Sequence, residues 1–345
     1  MTTEGVDTVS LILLYCIAFT MALMVTGLLR RYALAKSIID VPNARSSHSV
    51  PTPRGGGIAI VISFTASLLT LVILGYAPLG ASVGVAGAGL ITAVIGFMDD
   101  HGHIAARWRL LGHFCGALWV LTWLGGFPAL EVMNVRIEGQ WLLAIFAIFY
   151  LVWLLNLYNF MDGIDGLASV EALTTLFGIA FIYWLVDLDQ LVMAPILLGL
   201  AVAGFLYWNF PPAKIFMGDG GSGFLGITLG GLSIQGAWAS STIFWSWLIL
   251  LGVFIVDATL TLIRRLTRGE KAHKAHRSHA YQFASRLYGN HLTVTRAVFL
   301  INAIWLLPVA VAVAMGWLSG VIGVMIAYLP LIGLAVKYHA GELEE

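Results

Sequence analysis

Charge is what this chain has least of. Of its 345 residues, 10% are Asp, Glu, Lys or Arg and 59% are hydrophobic, where a soluble globular domain carries about 25% charged residues. That excludes an ordinary soluble domain. Strict alternation of apolar and polar residues is missing too, which excludes a transmembrane barrel; continuous apolar runs are the pattern of spanning helices. Cysteine is nearly absent. Cys16 and Cys115 both lie in apolar runs and read as free, buried thiols. The stretch Met1 to Ser10 holds Glu4 and Asp7 but no Lys or Arg. A signal peptide has a basic start and a small-residue cleavage site, so 9–29 reads as a retained first helix. No low-complexity tract or internal repeat stands out, and no nucleic-acid partner is expected.

About twenty apolar residues span a bilayer. Eleven stretches qualify, at roughly 9–29, 57–75, 80–98, 110–126, 141–157, 167–186, 191–209, 221–237, 242–262, 297–316 and 319–337. The fourth and eighth are short or Gly-rich. The expected fold class is an all-α polytopic membrane protein of about eleven transmembrane helices, one integral membrane domain over 1–345. Lys and Arg set its orientation. With the N-terminus outside, every Lys and Arg except Arg136 falls in an inside segment. The C-terminus is then cytoplasmic. The inside segments also hold the polar motifs, so the active site is expected at the cytoplasmic face.

One of these segments organises the rest: Asn156-Leu-Tyr-Asn-Phe-Met-Asp-Gly-Ile-Asp-Gly-Leu167. Asn156, Asn159, Asp162 and Asp165 stand three apart where an apolar run ends. If the helix continues, three-residue steps keep such groups on nearly one face. Gly163 and Gly166 instead let the backbone loosen or approach a ligand. A helix cap needs one Asp or Asn, not four.

Other loops add carboxylates. Asp99 and Asp100 are adjacent, and Asp219 sits in Gly218-Asp-Gly-Gly-Ser222-Gly223. A charged side chain deep in a bilayer costs about 2.5–3.5 kcal/mol on insertion scales, so such groups usually serve a site. A divalent cation relieves repulsion between neighbouring carboxylates; Mg²⁺ suits one or two of them plus substrate phosphates. A Gly-rich turn at a helix N-terminus presents N–H groups to a phosphate, alone a weak signal; Arg54-Gly-Gly-Gly57 is an equally weak one. The most basic loop, about 263–296, carries His273, His276, Arg277 and His279. It reads as an anion site for a nucleotide's phosphates, with Arg277 as a two-pronged donor, or as a surface facing anionic lipid. Zinc is the weaker reading, since no Cys or acidic partner is near. Asp257, two turns before Arg264, is an ion-pair partner or a further site carboxylate.

Together these stretches resemble the polyprenyl-phosphate N-acetylhexosamine-1-phosphate transferases, of glycosyltransferase family 4 type. The resemblance rests on Thr52-Pro-Arg-Gly-Gly-Gly57, Gly96-Phe-Met-Asp-Asp100, Asn156 to Ala168, Phe216-Met-Gly-Asp-Gly-Gly-Ser-Gly223 and the histidine loop, in the family's order over nearly the whole chain. His276-Arg-Ser-His-Ala-Tyr-Gln282 is most similar to the O-antigen-initiating branch. The resemblance implies transfer of an N-acetylhexosamine-1-phosphate (GlcNAc, or a 6-deoxy relative such as FucNAc or QuiNAc) from a UDP-sugar to undecaprenyl phosphate, with release of UMP. It implies a multi-pass protein of the bacterial inner membrane that starts a lipid-linked glycan, such as O-antigen or a cell-wall polysaccharide. It implies Mg²⁺, for which Mn²⁺ can stand in, and allows a homodimer. By position it implies Asp219 as the metal ligand and Asp99, Asp100, Asp162 and Asp165 as catalytic groups. Arg54, Asn156, Asn159, Gly218, Ser222, His276, Arg277 and His279 would bind substrate.

The physics of that reaction suits these residues. Two anions must meet, so Mg²⁺ and Arg must offset their repulsion. The attacking phosphate oxygen is already largely ionised at pH 7, so a strong base is not required. A coupled transporter would also hold intramembrane carboxylates, but near the midplane on broken helices, often in repeated halves; here they sit at one edge.

Overall fold

The computed structural model describes residues 8–42, 46–102, 104–133, 135–270 and 276–342. His273, named above, lies outside them, as do the residues before Thr8. All eleven predicted stretches fall in helices. These are α1 (Thr8–Ala35), α2 (Ile58–Ile73), α3 (Leu79–His101), α4 (Ala106–Leu124), α5 (Gln140–Met161), α6 (Leu167–Leu185), α7 (Met193–Asn209), α8 (Asp219–Ala237), α9 (Ser241–Leu250), α10 (Gly252–Thr267), α11 (Ala280–Tyr288), α12 (His291–Leu300), α13 (Leu307–Ala314) and α14 (Gly320–Lys337). Two short antiparallel hairpins, Ile39–Asp40 with Thr52–Pro53 and Leu130–Val132 with Val135–Ile137, are the strands among the described residues.

Among the described residues, seven helical spans are long and apolar enough to cross a membrane, counting α12 and α13 as one, or eight if α9 and α10 form one bent span. The expectation of eleven also counted α2, α4 and α8. α2 is 16 residues long, and α8 is rich in glycine.

The core is built by close approach of small residues. In α1 the buried residues are Leu14, Ala18, Ala22, Thr26 and Ala33, a narrow stripe at mostly four-residue spacing. Leu13, Ile17, Met24 and Leu28 stay exposed, the lipid-facing pattern of a membrane helix. The stripe packs on α7, where a Cβ on Gly204 would run into the backbone of Phe19. Small residues of this kind let membrane helices meet backbone to backbone. α8 is buried along almost its whole length and pairs extensively with α3 and α5. Its Gly226 meets the backbone of Leu154 and Leu155. The glycines that weaken α8 as an isolated span are what let it sit at the centre.

Four features differ from the sequence expectation. The ninth stretch is not one straight span; the chain bends by 71° between α9 and α10, and Gly252 after the break packs against Tyr328 and Leu331 of α14. The basic loop at 263–296 holds a helix, α11, and α12 starts at His291 behind an Asn290 cap whose side chain accepts the Leu292 N–H at 2.8 Å. A π-helical turn, Ile301–Leu306, joins α12 to α13. It brings Asn302 to Glu171, the charge inside α6, at 2.6 Å and to Thr174 at 2.7 Å. Last, Cys16 and Cys115 are free as expected but exposed on outer helix faces, not buried.

Candidate active site

The cleft forms where the helix-connecting segments gather at the ends of α3, α5, α7 and α8. It has a volume of about 620 Å³. Its walls include Arg54, Asp100, Asn159, Asp162, Asp165, Gly218 and Asp219, seven of the residues that the sequence singles out. Asp40, His48, Asn209 and Gln282 also line it.

The helix carrying Asn156 and Asn159 ends at Met161, and Asp162 is its C-cap. The four amide and carboxylate groups therefore do not share one helical face; the glycines loosen the chain. Gly166 takes φ +73°, and its N–H donates to Asn209 Oδ1 at 3.0 Å. Asp165 is fixed by the protein: Oδ2 accepts the Ala213 N–H at 3.0 Å, and Oδ1 lies 3.2 Å from His291 Nδ1. Asp162, like Asp165, is half-buried. Burial, then the facing carboxylates of Asp219, Asp100 and Asp165, push it well above the usual carboxylate range.

Asp99 and Asp100 diverge. Asp100 turns to α8: its Oδ1 accepts the Asp219 N–H at 3.4 Å, and the Gly220 N–H faces the same carboxylate. Its charge therefore caps the helix N-terminus that the sequence offered to a phosphate. Arg54 donates to the Asp100 carbonyl at 2.7 Å, with Nε 3.7 Å from Oδ1. Asp100 Oδ2 is buried without a hydrogen-bond partner among the described residues. Asp99 turns to α4, where it binds Arg109 and accepts the Ile104 N–H at 2.7 Å. The same Arg109 reaches Asp219 Oδ2 at 3.4 Å. Asn159 faces Asp219 from the other side.

Most motif glycines serve packing. The Gly56 and Gly57 N–H groups donate to the Phe216 and Met217 carbonyls at 2.9 and 2.8 Å, while the Phe216 N–H donates to Pro53. Two sequence motifs about 160 residues apart are thus one paired backbone. Gly57 meets Gly221, and a Cβ on Gly96 would strike the backbone of Asp219 and Gly220.

Six expected residues are not among those lining the cleft. Asp99 is committed to Arg109 as above. Asn156 donates to Val152 of its own helix at 2.7 Å. Ser222 bonds back to the Gly218 carbonyl at 3.2 Å. His279 is 3% exposed, with Nδ1 3.3 Å from Asp257 Oδ1. Asp257 also accepts the Ala280 and Tyr281 N–H groups, both at 3.0 Å, so it anchors the start of α11. That helix sends Tyr281 to the Phe160 carbonyl and Gln282 to the cleft. His276 packs against the His279 ring and Ser278. Burial first, then His279 and Arg265, pull it down to about 3. Arg277 lies half-buried just before α11.

The arrangement is a polar cleft with carboxylates on three sides, an Arg at its wall and a second Arg behind. The profile of glycosyl transferase family 4 matches residues 82–237, which contain most of it. The chain is 30% identical over 341 residues to a probable undecaprenyl-phosphate N-acetylglucosaminyl 1-phosphate transferase of Bacillus subtilis, covering 94% of this chain and 91% of that one. This chain belongs to the polyprenyl-phosphate hexosamine-1-phosphate transferases. Two further relatives bracket it within this transferase family. A decaprenyl-phosphate N-acetylglucosaminephosphotransferase of Mycobacterium leprae is 28% identical over 305 residues, 80% of this chain and 77% of that one. A phospho-N-acetylmuramoyl-pentapeptide-transferase of Streptococcus agalactiae is 32% identical over 210 residues, 56% and 62% of the two chains.

Sequence reasoning missed Arg109, Gln282 and Asn209 as site residues. Arg109 had one visible signal, an Arg at a helix start ten residues after Asp99. The other two are placed only by folding.

Proposed function

We propose that this transferase moves an N-acetylhexosamine-1-phosphate, GlcNAc or a 6-deoxy relative, from a UDP-sugar to undecaprenyl phosphate, releasing UMP and starting a lipid-linked glycan. The observation that carries the reading is the cluster of Asp100, Asp162 and Asp219 facing one cleft, with Asp100 Oδ2 buried and without a partner among the described residues. The Bacillus relative is named for undecaprenyl phosphate and the Mycobacterium relative for decaprenyl phosphate. In this reading the protein has eleven spans, an external N-terminus, a cytoplasmic C-terminus and a cleft opening to the cytoplasm of a bacterial cell, in its inner membrane.

Among the described residues no three His, Cys, Asp or Glu side chains enclose a metal by themselves. An ion held by one or two carboxylates, its shell completed by phosphate and water, is the usual arrangement for Mg²⁺. Asp219 would hold it, with Asp100 and Asp162 beside it; bound there, it offsets the charge of the two phosphate groups. Arg54, on the cleft wall, holds the donor diphosphate. Asp99 keeps Arg109 beside Asp219 and so acts as a positioning residue. A lipid phosphate oxygen attacks the sugar-bearing phosphorus in line, the bond to the UMP oxygen breaks, and no proton need move.

Identification of the released nucleotide tests the reaction type. UMP formed in step with lipid-linked sugar phosphate supports it. UDP, the product of plain glycosyl transfer, overturns it.

A further inference from the structure

We infer that His291 is a positioning residue, latching the Ser46–His48 segment across the cleft so that Ser47 Oγ and His48 Nε2 contact the UDP-sugar donor. The inference rests on the transferase reading above. His291 is the first residue of α12, and its ring lies between two distant parts of the chain. Nδ1 stands 3.2 Å from Asp165 Oδ1, and Nε2 stands 2.9 Å from the Ser47 carbonyl. The carbonyl only accepts, so Nε2 carries the hydrogen. One turn later Thr295 donates to the Asp165 carbonyl at 3.0 Å. The first turns of α12 thus hold the Asp165 turn by side chain and by backbone, and carry the Ser46–His48 segment with it.

Two polar atoms of that segment are left for a ligand. Ser46, Ser47 and His48 all line the cleft. Ser47 Oγ and His48 Nε2 are buried and have no hydrogen-bond partner among the described residues. Buried polar atoms in native proteins are nearly always bonded, and a ligand in the cleft supplies the missing partners. The His48 ring is already oriented, edge-on to Phe216 at 4.9 Å. Asp165 differs from Asp162 here: its two oxygens face His291 and Ala213, so it supports the latch and leaves phosphate and metal to its neighbours.

One neutral hydrogen bond contributes about 1 kcal/mol net, so His291→Ala is expected to raise the KM for the UDP-sugar about five- to tenfold. The KM for undecaprenyl phosphate should stay near the wild-type value. His291→Gln, whose amide N–H can reach the Ser47 carbonyl, should recover most of the loss. Equal losses on both substrates, or a Gln variant no better than Ala, would overturn the assignment. Hydrogen–deuterium exchange over 46–50, without substrate, decides the latch separately. Faster exchange in His291→Ala but not in His291→Gln supports it; unchanged exchange in both overturns it. Wild-type inactivity with every donor would count against the transferase reading, while the exchange comparison would still decide the latch.

Discussion

The carboxylate of Asp100, at the end of α3, accepts the backbone N–H of Asp219, at the start of α8, at 3.4 Å. One carboxylate thus caps the helix that presents the other. The two are held together although like charges repel, because the helix N-terminus and Arg54 both face Asp100. The second Asp100 oxygen is left to the cleft.

Asp100→Asn separates these two roles. Asn caps helices about as well as Asp, so the melting temperature in detergent should hardly move. Transfer should fall by about 100-fold or more, the scale of losing one well-placed charge in a preorganised site. Loss of folding together with loss of activity would make Asp100 a structural residue.

Asp162 should respond to pH. A carboxyl raised in the folded state keeps a proton that the unfolded chain has released, so the folded state loses stability as pH climbs above about 4, the unfolded value. With its carboxyl pushed up by burial and by three facing carboxylates, metal-free protein should melt at lower temperature as pH rises. Asp162→Asn should flatten that slope while abolishing transfer. A variant with the wild-type slope would contradict the crowding.

Arg109 tests the link between two carboxylates on different helices. It joins Asp99 on α3 to Asp219 on α8. A hydrogen bond between charged groups is worth about 1.5–3 kcal/mol, so Arg109→Gln should slow transfer by about 10- to 100-fold. Initial rates at saturating substrate measure this; a rate within twofold of wild type would remove Arg109 from the site.

Gly96 tests the packing that brings α3 to α8. A Cβ there meets the Asp219–Gly220 backbone, whereas one on Gly102 meets nothing within 4 Å. Overpacking costs about 1–3 kcal/mol, so Gly96→Ala should lower the melting temperature and the activity together. Gly102→Ala is the control that should do neither.

Continuous apolar composition made the eleven long helical stretches legible, and clustered Asp, Asn and Gly made the cleft-lining loops legible. Local sequence could not show the bend at Leu251, because tight packing of Gly252 on α14 accompanies it. Nor could it show that His279 turns inward to Asp257, a residue 22 positions away. The glycine motifs pointed to phosphate, yet Gly57, Gly96 and Gly221 are explained by backbone contacts between elements far apart in sequence. α11 escaped notice because it is short and amphipathic, inside a loop read for its charge.

The most direct measurement is transfer of labelled phosphosugar to undecaprenyl phosphate by purified protein, across a panel of UDP-N-acetylhexosamines, with Mg²⁺ and with EDTA. The wild type should form lipid product with at least one donor, only with the metal, and Asp219→Asn should form none although folded. Folded wild-type protein that forms no product with any donor, or an Asp219→Asn variant that matches it, would contradict the assignment of the cleft.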